Sequence, residues 1–202
     1  MTWINTIPYA ESTGRLRKLY DRVKGPDDKV DNIMMAHSLR PNTMEGHMAL
    51  YKNVLHHSDN SLSPWYLEAI GVYVSLLNEC HYCIEHHHEG MVTQLDGDRQ
   101  RAEAIRQALE VREPARAVPE KEAAGLAYAA RLTLDATTVC EKDLDNLRTA
   151  GFDDGEILEI NQVAAYFNYA NRTVLGLGIT TQGDVLGLAP RNSGNPEDWQ
   201  HT

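Results

Sequence analysis

Helical periodicity runs through almost the whole of this 202-residue chain and constrains its fold more than any other feature. Apolar residues recur at intervals of three and four, the spacing that places side chains on one face of an α-helix. Alternation of apolar and polar residues over strand-length windows is absent, and the chain contains only two phenylalanines. The pattern therefore predicts an all-α fold, a bundle of several helices.

Two segments are apolar enough to form the centre of such a bundle. Residues 65–77 are apolar on nearly every side, and residues 153–175 form a second long, mostly apolar stretch. A helix that is apolar on all faces must be covered on all faces, either by the core or by another subunit. We therefore predict that both helices are buried and that the chain forms a homo-oligomer.

Helix-starting and helix-breaking residues place the remaining helices. Ser63-Pro64 supplies an N-cap and a first-turn proline to the first buried helix. Further helices are predicted at 41–55, 80–91, 99–111, 120–134 and 142–149, with one short helix between residues 21 and 40.

The two apolar helices open on similar sequences. Leu67-Glu68-Ala69-Ile70 in the first resembles Leu158-Glu159-Ile160 in the second. This similarity indicates an internal helical repeat whose second copy lacks cysteines. Glu159 is then either a remnant of the repeat or a core ion-pair partner of Arg172.

The charge of the chain limits its partners. Lysine and arginine total 19 against 29 acidic residues, a formal net charge of −10. This balance disfavours nucleic acid and anionic membrane surfaces as partners. We recognise no signal peptide at the start, and the longest apolar run is too short to span a bilayer. With only three cysteines, we expect a reducing compartment, the cytoplasm.

A Cys-x-x-Cys pair, Cys80 and Cys83, is followed four residues later by His87. In a regular helix the Cβ atoms of residues three apart are about 5–6 Å apart, whereas a disulfide needs about 3.8 Å. The pair can close only if Cys80 lies at the start of a helix, where the backbone is freer. That position also favours the thiolate, because the helix N-terminus is the positive end of the helix dipole.

Glu68 lies twelve residues before Cys80, inside the first apolar helix. In one continuous helix the two would be about 18 Å apart and on different faces. Glu68 reaches the thiols only if the chain turns back near Asn78-Glu79. If the chain does so, Glu68 can fix His87 in one tautomer, and His87 can take a proton from a thiol.

The spacing Glu-x11-Cys-x-x-Cys-x3-His, formed by Glu68, Cys80, Cys83 and His87, resembles the signature of alkylhydroperoxidase D (AhpD). Residues 77–87 look like the core motif of the peroxidase-related branch of the carboxymuconolactone decarboxylase-like superfamily. The resemblance implies an AhpD-like all-helical fold and a homo-oligomer, for which we favour a trimer or a hexamer. The decarboxylase branch lacks the cysteine pair, which argues against decarboxylation here.

The resemblance implies a thiol-dependent peroxidase that reduces alkyl and other organic hydroperoxides, with Glu68, Cys80, Cys83 and His87 as its catalytic set. The cysteines would cycle between dithiol and disulfide, and Glu68 and His87 would relay protons. No cofactor is expected besides an external dithiol reductant, of the thioredoxin or lipoyl type. The sequence does not decide which cysteine attacks. Cys83 is nearer His87, whereas Cys80 is nearer the helix N-terminus, which favours its thiolate.

The positions of the helices and of the cysteine motif also predict the domain organisation. We expect one domain over residues 1–188, with a redox core at about 41–97 and a second helical half at about 119–178. Residues 189–202 are polar and are expected to form an irregular tail. Within this tail, the side chain of Trp199 can pack against a neighbouring surface.

Two alternatives to a peroxidase remain open. Cys80, Cys83 and His87, with His86 or His88, would make a zinc site, since thiolate and imidazole are ligands that zinc prefers. Such a protein would be a zinc-binding or sensing member of the superfamily. Alternatively, the cysteine pair would exchange electrons as a disulfide reductase without meeting a peroxide.

The remaining polar residues are assigned by their local context. His47, Tyr51 and Asn171 are candidate pocket residues, although His47 is more simply a core histidine and Asn171 an interhelical hydrogen-bonding residue. We expect His86 and His88 to be solvated or at a subunit contact and His56 and His57 to be ordinary surface residues. Cys140 is expected to be a small buried residue.

Overall fold

The computed structural model describes residues 2–202, and within them the fold is helical with no β-strand, which confirms the all-α prediction. The helices are α1 (Gly14–Val23), α2 (Asn32–Ala36), α3 (Pro41–Leu55), α4 (Pro64–Leu77), α5 (His81–Gln94), α6 (Arg99–Glu110), α7 (Glu120–Leu134), α8 (Glu141–Thr149) and α9 (Asp154–Leu177). None of these helices is long and apolar enough to cross a membrane.

Helix α4 forms the centre of the bundle. It packs against α5, α6, α7 and α9, and its residues Ala69, Ile70, Val72 and Val74 are fully buried. Gly71 allows the closest of these contacts, because a Cβ there would lie only 2.2 Å from the ring of Phe167 on α9. The helix predicted to be apolar on all faces is therefore covered on all faces within one chain.

Helix α9 is buried on one face only. It begins with a capping box, in which the Asp153 carboxylate accepts from the Glu156 N–H and the Glu156 carboxylate accepts from the Asp153 N–H. It ends at Gly178, whose φ of 60° is the left-handed conformation that glycine adopts readily. Leu158 and Leu175 remain exposed, so the chain itself covers this helix only in part, and its burial by another subunit stays a prediction.

Helix α1 was not predicted, although its sequence carries the helical signal. Leu16, Leu19, Tyr20 and Val23 recur at three- and four-residue spacing and are all buried. Tyr20 also donates a hydrogen bond to the backbone oxygen of Ile7, 2.8 Å away, which fixes the N-terminal segment against the bundle.

The C-terminal tail is irregular but packs firmly on the bundle. Trp199 is buried, its Nε1 donates to the Pro196 oxygen, and the guanidinium of Arg22 lies 3.6 Å from its ring centre. The Lys52 ammonium is buried as well and donates to the backbone oxygens of His56 and Arg191. These contacts return the tail across α3, where it closes one side of the cavity described next.

Candidate active site

The turn between α4 and α5 brings the predicted site residues together. Glu79 adopts a left-handed conformation with φ of 56°, which reverses the chain immediately after α4. Cys80 then occupies the N-cap of α5, and its N–H donates to the Ser75 oxygen at 2.9 Å. The chain thus turns back at Asn78-Glu79, as the Glu68 argument requires, and Cys80 lies at a helix start.

Glu68 and His87 face each other across this pair of helices. The Glu68 Oε2 and His87 Nδ1 atoms are 2.7 Å apart, and both side chains are largely buried. Gly90 makes room for the carboxylate, because a Cβ there would lie 3.1 Å from it. Since a carboxylate only accepts hydrogen bonds, Nδ1 carries the proton in the neutral ring, and Nε2 is the nitrogen that can take another.

The two cysteines are reduced, buried and in contact with each other. Hydrogen bonds from the side chain and then the backbone of Cys83 lower the pKa of Cys80, although burial opposes them. The same thiol–thiol contact, together with burial, raises the pKa of Cys83 well above its usual value. Cys80 is therefore the more acidic of the two thiols.

A small cavity of about 40 Å³ lies beside these residues, enclosed by α3, α4, α5, α9 and the segment 187–189. Cys83, Glu68 and His87 all line it, whereas Cys80 does not. A space of this size has room for a few water molecules or for the reactive end of a small ligand. Of the two thiols, Cys83 is thus the one that a small molecule in the cavity meets.

The candidate pocket residues have different positions. His47 and Tyr51 line the cavity, and burial lowers the pKa of His47 to about 3, which keeps its imidazole neutral. Asn171 does not line the cavity but lies fully buried behind the cysteines, where it donates to Ser75 Oγ and accepts from Asn78 Nδ2. Its interhelical hydrogen bonds are therefore as expected. Its side chain also contacts both cysteines, and its assignment to the pocket stays a prediction.

Three histidines expected at the surface or at a subunit contact are instead buried within the chain. His56 lies with its Nε2 3.9 Å from Glu68 Oε1, and burial lowers its pKa to about 4. His86 lies 3.4 Å from Asp184, and the ring of His88 approaches Glu103. These assignments failed because the tail and α6 cover surfaces that look exposed in the isolated helices.

Cys140 and Glu159 also differ from expectation. Cys140 is exposed at the N-cap of α8, so it is not a core residue. Glu159 does not pair with Arg172 and instead accepts the backbone N–H groups of Ser61 and Leu62 at 2.7 and 2.9 Å. It thus fixes the loop before α4, a role unlike that of Glu68.

The side-chain arrangement does not favour the zinc alternative. Among residues 2–202, no three or more His, Cys, Asp and Glu side chains are placed to hold one metal ion. His87 is directed at Glu68, whereas His86 and His88 lie on other faces of α5, because successive helical residues are about 100° apart.

A second acidic group, which the sequence did not indicate, lines the same cavity. Burial, together with the nearby charge of Asp184, raises the pKa of Asp31 to about 7, although His86 opposes the shift. Asp184 accepts a 2.7 Å hydrogen bond from the hydroxyl of Tyr82, one of the two residues between the cysteines. His86 and His201 lie within 4.0 Å of these carboxylates. Asp31 and Asp184 are 153 positions apart in a chain of 202, and no local pattern joins them.

Comparisons with known proteins agree with this geometry. Residues 41–131 match the carboxymuconolactone decarboxylase family, a range that contains Glu68, both motif cysteines and His87. A search of curated proteins found none that matches the chain.

Several solved structures share the fold. An uncharacterised peroxidase-related protein with an AhpD core, from Ralstonia eutropha JMP134, has a TM-score of 0.77 at 21% identity, over 89% of this chain and 91% of that one. A peroxidase-related protein from Silicibacter sp. TM1040 has a TM-score of 0.75 at 26% identity, with the same coverage. The debrominase Bmp8, in complex with 2,3,4-tribromopyrrole, has a TM-score of 0.62 at 17% identity, over 82% of each chain. Residues 41–131 thus resemble the carboxymuconolactone decarboxylase family, and the chain shares the fold of the AhpD-like and peroxidase-related structures.

Proposed function

We propose that this protein is a thiol-dependent peroxidase that reduces organic hydroperoxides through Cys80 and Cys83. The observation that carries the proposal is the placement of Cys83 and the Glu68–His87 pair on the wall of one cavity. A buried nucleophile, a base and a carboxylate that orients the base are the groups that activated-thiol chemistry needs. Peroxidase-related neighbours of the same fold support this class of activity.

In the first half of the cycle, Cys83 attacks the hydroperoxide. The Cys83 thiol gives its proton to His87, and the thiolate attacks the outer oxygen of ROOH, so that an S–O bond forms as the O–O bond breaks. The leaving alkoxide takes the proton from His87 and departs as ROH, and Cys83 becomes a sulfenic acid. Contact with Cys80 and burial raise the pKa of Cys83, so this thiol needs a base such as His87 to become a thiolate.

In the second half, Cys80 resolves the sulfenic acid. The Cys80 thiolate attacks the Cys83 sulfur, a disulfide forms, and hydroxide leaves with a proton as water. An external dithiol, of the thioredoxin or lipoyl type, then attacks Cys83 from the cavity side. Cys80 leaves first in that exchange, because the more acidic thiol is the better leaving group. The second thiol of the donor completes the reduction.

A debrominase has a similar fold, so the fold alone does not establish peroxide reduction, and the activity has to be measured directly. We would measure consumption of cumene hydroperoxide with dithiothreitol or dihydrolipoamide as donor, for the wild type and for Cys80→Ser, Cys83→Ser and Cys140→Ser. Both motif variants should lose turnover, whereas Cys140→Ser, at an exposed and distant thiol, should retain it. A wild type that reduces disulfides with the same donors but leaves the peroxide intact would identify the disulfide reductase alternative.

We further propose a homo-oligomer, a trimer or a hexamer, located in the cytoplasm. Leu50 on α3 and Tyr169 and Leu175 on α9 are exposed apolar residues that a second copy would cover. A reducing compartment suits a disulfide that has to be reduced after every turnover. Light scattering at micromolar concentration tests the assembly, and a mass near the 22.7 kDa monomer would contradict it.

A further inference from the structure

Three carboxylates surround the cavity at Cys83, and no lysine or arginine does. Glu68, Asp31 and Asp184 are all largely buried, with Glu68 and Asp31 lining the cavity directly. Among residues 2–202, the lining contains no lysine or arginine, and none of the three carboxylates forms an ion pair with one. Histidines are the only basic groups near them.

Most of those histidines do not supply a compensating positive charge. Burial lowers the pKa of His47 to about 3 and those of His56 and His201 to about 4, so all three are neutral near pH 7. Among residues 2–202, this leaves His86 and His87 in contact with the carboxylates, and two imidazoles are one fewer than the three carboxylates. In a site shielded from water, an uncompensated charge repels a like charge more strongly than it would at the surface.

An unpartnered polar atom shows that the cavity is also suited to a ligand with hydrogen-bonding groups. His47 Nδ1 is buried without a hydrogen-bond partner, and His47 lines the cavity. Buried ring nitrogens are normally paired, with protein or with another molecule. A small guest beside Cys83 would give this nitrogen a partner.

We propose that Asp31 and Asp184, together with Glu68, make the cavity at Cys83 accept small uncharged or cationic molecules and exclude anions. Where the molecule is a hydroperoxide, this favours neutral alkyl hydroperoxides over those that carry a carboxylate close to the peroxide. Only this last step rests on the proposed function, since the selection by charge applies to any reagent that reaches Cys83.

The test uses two alkylating reagents of similar size, the anion iodoacetate and the neutral iodoacetamide. The same thiolate attacks the CH2 carbon of either reagent and displaces iodide, so the ratio of the two rates at one cysteine cancels the acidity of that thiol. Rates at Cys83 and at the exposed Cys140 are read from the same sample by peptide mass spectrometry at pH 8. Cys140 serves as the internal reference, because it shares the net charge of the protein but not the cavity.

In the wild type, the iodoacetate-to-iodoacetamide ratio should be about tenfold lower at Cys83 than at Cys140, as expected for one unscreened repulsion. Asp31→Asn and Asp184→Asn should each raise the ratio at Cys83 several-fold and leave that at Cys140 unchanged. The exposed Asp96, in Asp96→Asn, makes the same change in net charge away from the cavity and should alter neither ratio. Melting temperatures would show that the variants are folded.

Equal ratios at Cys83 and Cys140 in the wild type would overturn the inference. So would a low ratio at Cys83 that neither aspartate variant raises, because another group would then be excluding the anion. Failure of both reagents to reach Cys83 would overturn it as well, since size rather than charge would then decide entry.

A second measurement separates this inference from the proposed function. Turnover of cumene hydroperoxide that carries a carboxylate on its ring is compared with that of the corresponding uncharged methyl ester, and the ester should react faster. Equal turnover of the two peroxides would refute selection by charge while supporting the peroxidase. Turnover of neither, with the alkylation ratios as expected, would refute the peroxidase and leave selection by charge supported.

Discussion

The cavity has two acidic sides that differ in how the chain builds them. The first, Glu68 with His87, comes from two consecutive helices joined by a tight turn, and its partners are 2.7 Å apart. The second, Asp31 with Asp184, comes from the loops before α2 and after α9. A local turn fixes the first side with little freedom, whereas the second exists only after the two ends of the chain have met. We infer that the first side serves the chemistry and the second controls what enters.

The largest effects should come from the cysteines on the first side. Cys83→Ser should abolish reaction with peroxide, because loss of a nucleophile removes nearly all of the catalysed rate, on the order of 10⁴-fold or more. Cys80→Ser should still react once and stop at a sulfenic acid on Cys83, which dimedone labelling followed by mass spectrometry detects. Labelling at Cys80 in Cys83→Ser would reverse these roles.

Removing the charge of Glu68 should have the next largest effect. Glu68→Gln keeps a hydrogen-bonding group beside His87 but no longer stabilises its protonated form. The rate of peroxide reduction should fall by about 10²–10⁴-fold, the usual contribution of a general base. The rate of alkylation of the cysteines by iodoacetamide between pH 6 and 8 reports thiolate formation and should fall too.

Glu159→Gln is the matched control, because Glu159 is the sequence counterpart of Glu68 on α9. Its carboxylate accepts hydrogen bonds from the backbone of Ser61 and Leu62, away from the cysteines. It should leave the rate unchanged. Comparable losses in the two variants would show that the effect is structural and would remove Glu68 from the proton relay.

The contrast between the two sides explains what the sequence could predict. Glu68, Cys80, Cys83 and His87 lie within 20 residues, and helix geometry with one break at Asn78-Glu79 is enough to bring them together. The central position of α4 was predictable for a similar reason, since a helix apolar on all sides can only be buried.

The second side was not predictable from local patterns. Asp31 and Asp184 stand in polar loops that look solvent-exposed in the sequence, and only long-range packing buries them. His56 was misassigned for the same reason, because the tail covers it through Asn192, whose Oδ1 lies 3.3 Å from His56 Nδ1. The prediction for Cys140 was wrong in the opposite direction, because this residue was expected to be buried and is exposed. A cysteine in a largely polar stretch is no evidence of burial.

Burial of Asp31 should make stability depend on pH. The folded-state pKa of about 7 is raised above the ordinary value of 3.8, so the folded state binds more protons between these values, and stability falls as pH rises through that window. Asp31→Asn removes the titrating carboxyl group and with it this loss of stability at higher pH. The free energy of unfolding of the variant, relative to the wild type, should therefore rise from pH 4 to pH 8, by at most about 4 kcal/mol.

Urea unfolding of both proteins across this range measures the difference. Comparing the two cancels the opposite contribution of the buried histidines, whose lowered pKa values make stability rise with pH over the acidic range in both proteins. A difference that does not change between pH 4 and pH 8 would show that Asp31 titrates normally.

The smallest expected effect tests whether the two sides are independent. Tyr82 lies between the two cysteines, yet its hydroxyl donates to Asp184 on the second side. Tyr82→Phe should lower the free energy of unfolding by about 1–2 kcal/mol, because the buried carboxylate loses one donor. His86 and the Asn32 N–H still contact Asp184, which keeps the loss small. If the first side is built by α4 and α5 alone, peroxide turnover at saturating donor should change less than threefold, about 0.7 kcal/mol in the barrier. A loss as large as that of Glu68→Gln would instead show that Asp184 holds the first turn of α5 in place, and that the chemistry depends on both ends of the chain.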